Sequence, residues 1–176
     1  HYLTVDFPVN NKWLHPPKYI SYHTANEHSP TDDVHLKNFV SAVVANQRTY
    51  AGNVRQVIDG VEHHFSDRMM KSPVGQYDKF PSSLFIDVVT EDGDVIVHLA
   101  TFGDRILQFK KNKLFIINIA QNSEFLESEH PGYGVEAGCQ VATTEIGIFW
   151  ANHTSVYFYN GAKVIDLFEK DGQRVI

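Results

Sequence analysis

At 176 residues and 20.0 kDa the chain is long enough to bury one core, or a few small repeats stacked into one. Apolar residues at 43% and charged residues at 20% exclude a disordered composition, and a net charge of -6 with acidic and basic residues interspersed excludes the basic stripe that tracks a phosphate backbone. Cys139 is the single cysteine, so no internal disulfide can form, and no apolar run approaches the roughly 20 residues of a membrane helix. With no charged-then-apolar leader at the start, synthesis in the cytoplasm is expected, and a first residue of His1 points to a fragment, a processed product or part of a longer chain.

Residues 1–37 read as an extended arm or connector. Pro8, Pro16, Pro17 and Pro30 lie among scattered aromatic residues, and proline removes ladder donors, leaving room for one strand at Lys18–His23. From residue 38 to 176 short runs of Val, Ile, Phe and Tyr alternate with Gly, Asn, Asp and Pro, the pattern of short strands joined by tight turns. The expected strands are Phe39–Ala45, Arg48–Val54, Glu62–Ser66, Ser83–Val89, Val95–Phe102, Arg105–Lys110, Lys113–Ala120, Val135–Ala142, Ile146–Asn152, Ser155–Asn160 and Lys163–Phe168. Between them, Ala120–His130 has apolar residues too sparse for an amphipathic helix and reads as a loop or a single turn. Asp92–Gly93 and Asn160–Gly161 are tight-turn signals.

Three stretches repeat one plan of strand, Asn-containing turn, strand, with the turn asparagines at Asn46, Asn112 and Asn152. Their spacings are 66 and 40 residues. The second suits the roughly 40 to 50 residues of a four-stranded propeller blade, and the first is longer by about one hairpin. A weaker echo joins Asp67–Arg68 to Asp104–Arg105, and recurrence of an acid–base pair suggests a structural brace at a blade corner. The fold expected is all-β, with antiparallel propeller-like blades forming part of a larger propeller. A β-sandwich is the alternative.

Candidate chemistry is sparse. His63 and His64 are adjacent, so on a strand they point to opposite faces and cannot share a metal. Asp92-Gly93-Asp94 has the start of a calcium loop without its closing ligands, and a hairpin turn accounts for it. Cys139, between Gly138 and Gln140, reads as buried packing. Asn152-His153-Thr154 fits a glycosylation sequon but falls at a turn. Trp150, Tyr157, Phe158 and Tyr159 could form a sugar-stacking platform, although strand alternation favours a packing seam. No catalytic residue, cofactor or metal ligand is assigned.

Four strings taken together carry a resemblance: Asn46-Gln-Arg-Thr-Tyr-Ala-Gly-Asn53, Ser66-Asp-Arg-Met-Met-Lys-Ser-Pro73, Asp104 through Asn118, and Gly147-Ile-Phe-Trp-Ala-Asn followed by Val156-Tyr-Phe-Tyr-Asn-Gly161. Over roughly Phe39 to Phe168 the chain resembles propeller-type structural proteins of tailed bacteriophages, particularly short-tailed marine ones. The resemblance implies a virion component, a tail nozzle, hub or adaptor present in several copies around the tail axis and touching other tail proteins. DNA could pass through its channel without sequence-specific binding. It implies no catalytic residues. Two further readings are a carbohydrate-binding module using Trp150 or Tyr157, and a hydrolase resting on scattered Asp, Glu and His.

Overall fold

The computed structural model describes residues 35–88, 93–121, 123–170 and 173–174. The chain is all-β, and among these residues it forms three four-stranded antiparallel sheets, each a meander of consecutive strands. Blade 1 runs β1 (His35–Ala45), β2 (Arg48–Ile58), β3 (Val61–Lys71) and β4 (Phe85–Asp87). Blade 2 runs β5 (Ile96–Phe102), β6 (Arg105–Lys110), β7 (Lys113–Asn118) and β8 (Phe125–Pro131). Blade 3 runs β9 (Val141–Thr144), β10 (Gly147–Ala151), β11 (Val156–Tyr159) and β12 (Val164–Asp166), and a hairpin of β13 (Glu169–Lys170) and β14 (Gln173–Arg174) follows.

Turn chemistry sets these registers. Asn46 and Gln47 both take positive φ (48° and 60°), as do Asp59 and Gly60 (51° and 76°), which is the backbone of the two-residue hairpin turns that match strand twist. A bulge at Asn53, itself at φ 56°, breaks the β2–β3 ladder between Gly52 and Val54.

The blades stack face to face. Blade 1 meets blade 2 through Tyr50, Met69, Val43 and Ala45 against Ile96, Leu99, Ile106 and Ile117. Gly52 sits where a β-carbon would lie 3.1 Å from both Ile96 and Leu99, so the absent side chain lets β5 approach β2. Blade 2 meets blade 3 through Leu107, Phe109, Leu114 and Ile116 against Ile148, Trp150, Tyr157 and Tyr159. Strand alternation in β6 thus sends Leu107 and Phe109 one way and Ile106 the other. A third cluster, Ala51, Val54 and Met70 under Phe80, covers part of the far side of blade 1.

Gln108 is fully buried between Ile106 and Lys110 on β6, and neither end of its amide has a hydrogen-bond partner among the described residues. A buried amide without partners is costly, so Gln108→Leu is expected to raise unfolding stability by about 1–2 kcal/mol. Urea denaturation reads this directly, and a lower midpoint for the variant would contradict it.

Several sequence expectations are corrected here. Residues 120–130 are not a loop throughout, because Phe125–Pro131 is the edge strand β8, paired with β7 from Asn118↔Phe125 to Lys113↔Pro131. Its exposed, charge-rich residues hide the strand from an apolar pattern, and charge on an edge strand discourages pairing with other chains. Residues 135–142 are not one strand: Gly138–Gln140 forms a 3-10 turn, and only Val141 onward joins the sheet. Of the residues expected to form an arm (1–37), 35–37 belong to β1, which begins at His35; the rest of that segment, with the strand expected at Lys18–His23, lies outside the described residues.

Candidate functional site: the seams and clefts between blades

The turn asparagines fall into two groups. Asn112 and Asn152 cap the middle hairpins of blades 2 and 3, whereas Asn46 caps the first hairpin of blade 1. The hairpin equivalent to theirs in blade 1 is Asp59–Gly60, which explains the longer first spacing. Asp67–Arg68 and Asp104–Arg105 are not equivalent either: the first pair lies inside β3, the second at the β5–β6 turn. Each arginine nevertheless braces an outer strand through a more distant carboxylate. Arg68 donates from Nε and a terminal nitrogen to both oxygens of Asp87 on β4, at 3.0 and 2.8 Å, with its guanidinium 4.1 Å from the ring centres of Phe65 and Phe85. Arg105 Nε lies 2.6 Å from Glu127 Oε2 on β8, where the Asn118 amide also donates. Asp104 contributes its carbonyl, which accepts the Ile119 N–H.

The seam between blades 1 and 2 carries a polar latch. Glu124, on the β7–β8 connection, accepts from Lys71 Nζ of β3 at 2.6 Å and from the Tyr50 hydroxyl of β2 at 3.3 Å. Burial, then the negative charge of Glu124, push the Tyr50 hydroxyl up to about 12. Asn46 donates its amide to the Ile119 carbonyl, and Arg48 reaches the Ser72 carbonyl. A small cleft of about 160 Å³ opens beside them.

A larger cleft, about 460 Å³, lies between blades 2 and 3 on the side of the middle hairpins and brings Asn112 and Asn152 together with Lys111, Glu136 and His153. Its walls are held by their own hydrogen bonds. Asn152 donates to the carbonyls of Gly132 and Gly134 and accepts from the N–H groups of Thr154 and Ser155. Gln140 accepts from Glu136 and Ala137 and donates to the Ala151 carbonyl. Gly134 passes so close to the β6–β7 turn that a β-carbon there would lie 2.4 Å from the Lys111 carbonyl oxygen. Sequence reasoning missed Asp94, which anchors this turn. The residue is buried, and its carboxylate accepts the N–H groups of Val95, Lys111 and Asn112 at 2.9–3.0 Å. The signal was an aspartate directly before a strand.

Other groups singled out in the sequence are dispersed. His64 Nε2 lies 2.6 Å from Asn53 Oδ1, while His63 stacks on Phe65. Cys139, expected to be buried, is exposed because its segment forms the 3-10 turn. Trp150 and Tyr157 are 1% and 2% exposed within the blade 2–blade 3 seam, so neither offers a platform for a sugar ring. Among the described residues no three His, Cys, Asp or Glu side chains gather to hold a metal ion. No helix among them is long and apolar enough to cross a membrane.

Two histidines make stability depend on pH. His98 lies 3.4 Å from Ser41 Oγ between β1 and β5, and His130 lies 3.0 Å from Ser128 Oγ on β8. Burial holds both imidazoles below their ordinary value of 6.5. A folded-state value below the unfolded one means that the unfolded chain binds more protons in that interval, so their contribution is whole above 6.5 and falls as pH drops through it. Tyr50, raised to about 12, acts at the other end, with stability falling as pH rises from 10. Thermal midpoints measured from pH 5 to 8 should therefore climb to about 6.5 and level off; a midpoint higher at pH 5 than at pH 7 would contradict this.

No protein-family model matches the chain, and no curated protein matches it.

Proposed function

We propose that the chain is a structural component of a bacteriophage tail, a nozzle, hub or adaptor built from propeller blades and assembling through protein–protein contacts. The observation that carries this reading is the division of labour among its side chains. Asn46, Asn152, Arg68, Arg105, Asp94 and Glu124 join turn to turn, strand to strand and blade to blade. The sheets at the two ends of the stack, meanwhile, present apolar residues on their outer sides: exposed Val40 and Val44 on blade 1, half-buried Phe149 and Phe158 on blade 3. Outward apolar faces at both ends of a rigid stack suit a part that is built into something larger.

In this reading the partners are copies of the chain and other tail proteins, the place of action is the virion, and synthesis takes place in the host cytoplasm. The net charge of -6 suits a wall past which DNA slides without being held. Mass spectrometry of gradient-purified particles from the source tests the assignment. The chain should band with intact virions in a fixed ratio to capsid protein; recovery only in the soluble fraction would overturn it.

A further inference from the structure

We infer that the cleft between blades 2 and 3 binds a small neutral saccharide, gripping its hydroxyl groups with Lys111, Asn112, Glu136 and His153; the inference is independent of the tail assignment. The segment linking β8 to β9 runs along this cleft and is clamped on both sides. Towards blade 2, Gly132 and Val135 donate their N–H groups to the carbonyls of Asn112 and Lys110 at 2.7 and 3.0 Å. Towards blade 3, the carbonyls of Gly132, Tyr133 and Gly134 accept from the Asn152 amide and the Trp150 indole at 2.9–3.0 Å. Asp94 fixes the β6–β7 turn on the opposite side. The cleft therefore keeps its shape without a ligand, and its volume of about 460 Å³ falls within the roughly 300–1,000 Å³ of small-molecule sites.

Four side chains in the lining are not used to build it. Lys111, Asn112, Glu136 and His153 are exposed, and among the described residues none makes a side-chain hydrogen bond, ion pair or ring contact. Each stands beside a group that does hold the structure. Lys111 and Asn112 give only their backbone N–H groups to Asp94, Glu136 gives only its backbone N–H to Gln140, and His153 follows Asn152. They reach the cleft from three separate places: the β6–β7 turn, the segment before β9 and the β10–β11 turn. The fold thus separates the residues that fix the walls from the residues left to meet a ligand.

The chemistry of those four groups selects the ligand. An ammonium only donates and a carboxylate only accepts, whereas an amide and an imidazole do both. The two charges have opposite sign, so an anion meets repulsion from Glu136 and a cation from Lys111, and exposed ion pairs contribute little in either case. No aliphatic side chain or hydrocarbon ring is among the lining residues, so an apolar ligand gains nothing there. A sugar hydroxyl donates and accepts at once, and neighbouring hydroxyls on a ring stand at fixed spacing. A saccharide therefore satisfies donor and acceptor walls together without bringing a charge of its own. Its hold is through the hydroxyls at the ring edge and not through stacking, because Trp150 and Tyr157 are buried in the seam.

Amide chemical-shift mapping by NMR on the 176-residue chain, titrated with maltose, lactose and diacetylchitobiose to tens of millimolar, is the test. At least one of these sugars should shift the amides of Lys111, Asn112, Glu136 and His153 saturably while those of blade 1 stay in place. Glu136→Ala and Lys111→Ala remove exposed side chains that hold nothing in the fold, so each should keep the wild-type circular dichroism. Each should also weaken that sugar about tenfold, the loss expected for one hydrogen bond to a charged group. No saturable shift with any of the three sugars, shifts centred outside the cleft, or unchanged affinity in both variants would overturn the site. Saturable shifts in the cleft with sodium phosphate or glutamate, and none with the sugars, would overturn the saccharide and point to a charged ligand.

Discussion

Trp150→Ala should lower unfolding stability by about 3–5 kcal/mol, enough to unfold a marginal domain at 37 °C. Trp150 is the largest fully buried side chain, on the second strand of blade 3, where it faces blade 2. It meets Phe109 edge-on, stacks on Tyr157 at 5.4 Å, and donates its indole N–H to the Tyr133 carbonyl at 3.0 Å. Truncation therefore leaves a cavity in the seam and a carbonyl without its donor. Trp150→Phe separates the two effects: it keeps most of the volume but not the N–H, and should cost about 1–3 kcal/mol. Guanidinium denaturation followed by circular dichroism reads both. A Trp150→Ala loss under 1 kcal/mol would mean that the blade 2–blade 3 seam is not the packed interface described.

Glu124→Gln should be nearly as damaging, at about 3–5 kcal/mol, although it changes one oxygen into an amide nitrogen. Lys71 and Glu124 are 15% and 9% exposed at their side chains, and the pair bridges β3 of blade 1 to the β7–β8 connection of blade 2. Removing the carboxylate's charge leaves a largely buried ammonium without its counter-ion, which is the costly case; replacing both partners with apolar residues is often neutral. The double variant Lys71→Met, Glu124→Leu should accordingly recover most of the loss. If the single and double variants are equally unstable, the latch contributes by packing and not by charge.

The fold was largely legible in the sequence because blade strands carry their signal in short apolar runs and in the turns between them. Arg105–Lys110 was read to the residue, and the expected strand at Ile146–Asn152 holds all of β10. What the sequence could not reveal depended on neighbours. Strand β8 hides because an outer strand needs no apolar face, only a ladder partner, and β7 supplies one. The segment 135–142 has strand-like composition, but Gln140 folds back to cap the Glu136 and Ala137 N–H groups and turns Gly138–Gln140 out of the sheet.

The structural residues divide in the same way. Asn46 and Asn152 could be picked out because a turn needs asparagine for local reasons, and their side chains then reach across to the Ile119, Gly132 and Gly134 carbonyls. Arg68 and Arg105 were visible as half of a local Asp–Arg step, yet their partners, Asp87 and Glu127, stand 19 and 22 residues away in sequence and are chosen by strand pairing. Glu124 acts across the blade 1–blade 2 seam, so nothing in its immediate sequence marks it, whereas Asp94 ties the start of β5 to the β6–β7 turn within blade 2 and is marked only by its place just before a strand.

Cryo-electron microscopy of the native particle tests the central claim most directly. The account predicts symmetric copies of this chain around the tail axis, with Val40, Val44, Phe149 and Phe158 covered by neighbouring blades. Particles whose tails lack the chain, or hold it with both end faces open to solvent, would contradict it.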